Sequence, residues 1–109
     1  MLKNNDEKMI AAIQEIVTVF GPGNKEFGTQ ELKKLISAKY HMKEGCVIPS
    51  DYCYNRVNNG IHPSQKPMLL EYLERGRYLC WGLNYPLDRP VYYKDKIVGE
   101  CINGKRILF

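Results

Sequence analysis

Apolar residues recur at three- and four-residue steps along two stretches near the start of the chain, and several later stretches are short and rich in strand-forming residues. In the first stretch Ile10, Ile13, Val17 and Phe20, with Met9 and Ile16 beside them, form one apolar stripe, and Glu7, Lys8, Gln14 and Glu15 fall outside it. This predicts a helix over Asp6–Phe20. Asn5 or Asp6 opens it by accepting the free N–H groups, and Gly21-Pro22-Gly23 closes it. A second helix is predicted from Thr29, as N-cap, to about Tyr40 or His41. Its buried stripe is Leu32, Leu35, Ile36 and Tyr40. Glu31 sits in the first turn, where the helix dipole favours an acid, and Lys33, Lys34 and Lys39 point away.

Cys46-Val47-Ile48 reads as a short strand or a packed connector. Beyond it, Pro49 stops any helix arriving from upstream, Ser50 is a cap, Asp51 suits a first turn and Gly60 suits a left-handed C-terminal position. A third helix of about nine residues is therefore expected between Ser50 and Gly60. Helical spacing sorts it into an inward face of Cys53, Tyr54, Val57 and Ile61 and an outward face of Tyr52, Asn55, Arg56 and Asn59. The remainder predicts strands. Residues 69–74 and 78–81 flank Arg75-Gly76-Arg77, residues 82–90 form a loop, and residues 91–93 are strand-prone. Residues 97–102 and 105–109 flank Asn103-Gly104, a strong hairpin signal.

Three N-terminal helices followed by an antiparallel hairpin give an α+β fold of winged helix-turn-helix type, with an extra C-terminal hairpin. The expected organisation is one domain over residues 1–109, with a core at 6–81 and additional strands at 82–109. In that arrangement the third helix enters the major groove and the hairpin wing meets the backbone or the minor groove. An aromatic, two amides and a guanidinium suit base edges and phosphates, so Tyr52, Asn55, Arg56 and Asn59 are the expected DNA-reading residues. Arg75 and Arg77 around Gly76 suit a phosphate-contacting wing, while Lys33, Lys34, Lys39 and Lys66 add backbone contacts.

Charge agrees in sign only. The net charge is +4, with −1 over residues 1–28, +3 over residues 29–66 and +2 over residues 67–109. The start of the chain has no apolar leader and no stretch is long enough to span a membrane, so a cytoplasmic protein is expected. Cys46, Cys53, Cys80 and Cys101 show no metal-knuckle spacing and are expected to be free, buried thiols, with no metal and no cofactor. Catalysis is not expected. His41 and His62 lack adjacent catalytic partners, Glu31-Leu32-Lys33 lies on a helix, and Gly21-Pro22-Gly23 lacks the Lys-Ser/Thr of a phosphate loop.

Over residues 6–81 the chain resembles the winged-helix DNA-binding superfamily. More narrowly, Ile48-Pro49-Ser50-Asp51-Tyr52-Cys53-Tyr54-Asn55-Arg56-Val57-Asn58, with Leu70-Glu71-Tyr72-Leu73-Glu74-Arg75-Gly76-Arg77-Tyr78, resembles small uncharacterised bacterial proteins and domains appended to restriction-type HNH endonucleases. That resemblance implies a DNA-recognition module, free-standing or borrowed by nucleases. The expected function is a non-catalytic double-stranded DNA-binding module, in transcription regulation or as a recognition component. The alternative is a protein-interaction module or accessory protein (regulatory, phage or host-defence) of the same fold. A homodimer and a protein partner both stay open.

Overall fold

A computed structural model describes residues 4–57 and 66–109. Helix α1 (Asn5–Phe20) is capped by Asn4, whose side chain accepts the Glu7 N–H at 2.8 Å, so the cap lies before both residues expected to supply it. It ends at Gly21, whose φ of 89° lies in the left-handed region. The buried stripe is Met9, Ala12, Ile13 and Ile16, rotated from the expected one. Phe20 instead sits at the rim, edge-on to Phe27, because the last turn of α1 runs past the core.

Strand β1 (Glu26–Gly28) leads directly into α2 (Thr29–Tyr40). Thr29 is the first helical residue rather than the cap, because its N–H already donates to the Gly76 carbonyl at 3.0 Å. The Gly28 N–H donates to the Glu31 carboxylate at 2.9 Å. Leu32 and Ile36 are buried, Tyr40 is half-buried and Leu35 is exposed. The stripe is thus narrower than the periodicity suggests. Lys39 pairs with Glu15 of α1, and Tyr40 donates to the same carboxylate.

After a 3-10 turn at Glu44–Cys46 and a second at Pro49–Tyr52 come β2 (Leu70–Glu74) and β3 (Arg77–Cys80). The first sheet is antiparallel in the order β1-β3-β2, with Phe27 opposite Tyr78 and Leu70 opposite Cys80. Strands β4 (Arg89–Tyr93), β5 (Lys96–Ile102) and β6 (Lys105–Leu108) form a second antiparallel sheet in sequence order. Asn103 and Gly104 both have positive φ, 54° and 81°, as the tight two-residue hairpin demands. The architecture is α+β. Among the described residues two cores form: α1, α2 and the first sheet close around Met9, Ile13, Leu32, Ile36 and Leu70, while Tyr54, Tyr85, Val91 and Cys101 pack beneath the second sheet.

Candidate nucleic-acid interface

The expected third helix does not form over residues 49–57. Pro49–Tyr52 make one 3-10 turn, and Cys53 is already extended, at φ −96° and ψ 138°. From there the backbone pairs sideways. Tyr52 O accepts from Leu69 N and Tyr54 N donates to Leu70 O, both at 2.8 Å, while Val57 N donates to Tyr92 O and Tyr92 N to Asn55 O. Tyr52, Cys53 and Tyr54 are all buried. Three consecutive buried residues do not fit one face of a surface helix; they fit a strip wedged between two bodies. The turn has Ile48 at its N-cap position and no side-chain cap bond, so Ser50 lies inside the turn and is not the cap expected of it. Lateral hydrogen bonds to both sheets then displace the helical ones.

That placement corrects the expected groove face. Tyr52 is 2% exposed, and its hydroxyl donates to the Asp6 carboxylate at 2.9 Å. Burial, and then the nearby Asp6, push its pKa up. The Asn55 amide is spent on β2: Nδ2 donates to Tyr72 O, and Tyr72 N donates to Oδ1, both at 2.8 Å. Arg56 is half-buried, its guanidinium 4.3 Å from the Tyr72 ring centroid. Asn59, like Ile61, His62 and the expected end of the helix at Gly60, lies outside the described residues. The predicted inward residues Cys53 and Tyr54 are buried, and Val57 is half-buried.

The expected wing is also altered. The Gly76 carbonyl accepts from Thr29 at the start of α2, so the hairpin tip lies against the helix instead of projecting. Arg77 pairs with Glu26 at 2.6 Å, with Glu31 and Glu74 near enough to reinforce its charged form. Arg75 is exposed and has no ion pair among the described residues. Of the lysines, Lys33 donates to the Glu44 carbonyl at 3.1 Å, Lys39 is paired with Glu15, Lys66 is paired with Asp6 at 3.2 Å, and Lys34 is exposed. The groove-face and wing residues therefore do not share one cationic surface.

What the structure does bring together is a cleft of about 400 Å³ where the two sheets meet, lined by Asn55, Arg56, Tyr72, Leu73, Tyr92, Lys94 and Asp95. Arg56 and Lys94 supply cations, Asp95 one acid, and Tyr72 and Tyr92 supply aromatic surface. The flanking sheet also carries an excess of basic residues. Residues 89–109 hold Arg89, Lys94, Lys96, Lys105 and Arg106 against Asp95 and Glu100. Arg106 secures the cleft wall from behind, with Nη1 donating to the carbonyls of Cys53 and Arg56 at 3.4 and 3.3 Å. Tyr92 and Lys94 carried no useful periodic signal, since a β4–β5 turn residue becomes a neighbour of Arg56 only through the tertiary pairing of 55–57 with β4.

Glu71 also has a role that no local sequence signal marks. It is buried, accepts the Trp81 indole N–H at 2.9 Å and lies 3.6 Å from the Arg89 guanidinium. Trp81 and Tyr54 both pack on Tyr85, edge-on and stacked respectively. Cys53, Cys80 and Cys101 are buried, with burial pushing the Cys80 thiol up to about 12; Cys46 is exposed, contrary to expectation. No group of three or more His, Cys, Asp or Glu among the described residues is placed to hold a metal ion, and none of their helices is long and apolar enough to cross a membrane.

Residues 5–108 match the profile of a family described as "Domain of unknown function (DUF7225)". The chain is also 38% identical over 91 residues to "Uncharacterized protein YnaC" of Bacillus subtilis (strain 168). That match covers 78% of this chain but only 34% of the relative, so the chain spans about a third of the length of the curated protein it matches. No solved structure matches.

Proposed function

The chain belongs to the DUF7225 family, and we propose that it is a non-catalytic winged-helix-like module that holds the phosphate backbone of double-stranded DNA at the Arg56–Lys94 cleft. Two features support the winged-helix reading: the element order α1-β1-α2-β2-β3, and the first strand pairing with the far strand of the hairpin. The observation that carries the function is the cleft itself. Two cations and two tyrosines line it, beside the sheet in which basic residues outnumber acids five to two. Duplex affinity of this kind comes from cations replacing condensed counterions, and needs no base-reading helix. Sequence preference, in this reading, is weak. A regulator, or the recognition part of a longer protein, both fit such a module.

The test is duplex binding by fluorescence anisotropy at several salt concentrations. Replacing Arg56 and Lys94 together (Arg56→Gln, Lys94→Gln) is expected to lower affinity for every duplex sequence, and to reduce the salt slope by about one for each phosphate that is no longer neutralised. Arg77→Gln is expected to change neither, because its guanidinium is already committed to Glu26. Equal binding by the double variant and the parent, or stronger binding of single strands than of duplexes, overturns the reading.

A further inference from the structure

Among the described residues, the second sheet has one guarded edge and one open edge. Along β4, the segment 55–57 already pairs with Tyr92 through two backbone hydrogen bonds. Along β6, no described strand lies on the side away from β5. The phase of β6 is fixed by its hairpin. Ile102 is opposite Lys105 and Glu100 opposite Ile107, and Phe109 N donates to Val98 O at 2.9 Å. In an antiparallel ladder, hydrogen-bonded and non-bonded pairs alternate. Lys105, Ile107 and Phe109 thus turn their backbone groups toward β5, while Arg106 and Leu108 turn theirs outward.

Several side chains along this edge are apolar and exposed. Ile107 is 57% exposed and Phe109 84%, with Ile97, Ile102 and Leu108 also exposed nearby. Natural edges are commonly blunted by outward charges. Here Arg106 is turned inward to the carbonyls of Cys53 and Arg56, which leaves Lys105 as the only solvent-directed cation of the strand.

The geometry points to a second copy of this chain as the occupant: two β6 strands pair antiparallel about Ile107 and join the two three-stranded sheets into one of six. In that register Arg106 exchanges both backbone hydrogen bonds with the partner's Leu108, and Leu108 does so with the partner's Arg106. All the outward groups are then used. The two Ile107 side chains meet in the closer, non-bonded pair position. Lys105 lies across from the partner's Phe109, an apolar and aromatic neighbour rather than a like charge. The competing register centred on Arg106 puts two guanidinium-bearing residues directly opposite, which is unfavourable. Hydrogen-bond phase admits both registers, and charge favours the one centred on Ile107. Four or five residues a side make a small interface, at the low end of specific contacts (below roughly 1,200 Å²), so the dimer is expected to dissociate on dilution.

Sedimentation of the full chain over about a hundredfold range of concentration, without DNA, tests this. The parent is expected to pass from monomer to dimer. Ile107→Lys, which sets two cations against each other at the centre, and Leu108→Pro, which removes an outward N–H together with the leucine side chain while leaving the β5–β6 hydrogen bonds in place, are both expected to stay monomeric at concentrations where the parent dimerises. The Arg56→Gln, Lys94→Gln protein is expected to dimerise as the parent does, so the failure of one proposal leaves the other standing. A parent that stays monomeric throughout, or edge variants that associate like it, overturns the dimer.

Discussion

At the scale of the residue, Asn55 shows how a side chain suited to reading bases is consumed by the protein's own backbone. Its amide completes the ladder of β2 by pairing with both polar groups of Tyr72. Asn55→Ala leaves an N–H and a C=O unpaired in a half-buried place, and is expected to destabilise the fold by about 2 kcal/mol in denaturant unfolding. A solvated amide that merely contacted DNA would leave stability unchanged, so the measurement separates the two roles. The cysteines give a second residue-scale expectation. Burial pushes the thiols of Cys53, Cys80 and Cys101 up, so each is protonated and shielded near about pH 8, where thiolate is the reacting form. A thiol reagent is expected to label Cys46 alone in the native protein and all four cysteines after unfolding. Rapid labelling of more than one in the native state contradicts that burial.

At the scale of the element, the second sheet depends on close contact between β5 and β6. A Cβ added at Gly99 would run into the Ile107 carbonyl and the Leu108 backbone, and these cannot swing aside as a flexible side chain would. Gly99→Ala is expected to cost about 1–3 kcal/mol. Amide exchange should rise first in residues 96–108, since the strain falls on that hairpin. The periodic pattern located α1, α2 and the β2–β3 and β5–β6 hairpins to within a few residues, because each buries one face against one neighbour. It erred at residues 50–57, which have a neighbour on each side.

At the scale of the molecule, the two halves are joined through the strip at 52–57 and through Glu71. The Glu71 carboxylate, on β2 of the first sheet, takes the Trp81 N–H and faces Arg89 of β4 in the second. Removing it orphans the indole N–H and one side of a charge pair. Arg89 is half in solvent, so the loss is discounted for screening: Glu71→Ala is expected to cost about 2 kcal/mol, and to expose the second sheet to exchange before the first. A single cooperative transition shifted equally in both sheets would show that the strip at 52–57 alone couples them. The same joint forms the Arg56–Lys94 cleft, so the candidate site exists only where the halves meet.

Local chemistry alone determined the amphipathic helices, the Asn103-Gly104 hairpin and the α+β character of this protein, since periodicity and turn residues act within a few positions of themselves. It also singled out Asn55 and Arg56, although in the wrong surroundings. Tertiary pairing decided what the chain after Pro49 becomes. Backbone donors at 54 and 57 found acceptors on two different sheets, and a buried amide group paired in a ladder is satisfied as well as one paired in a helix. That competition is settled by partners more than ten residues away along the chain, which is why no reading of residues 50–57 by themselves could foresee it.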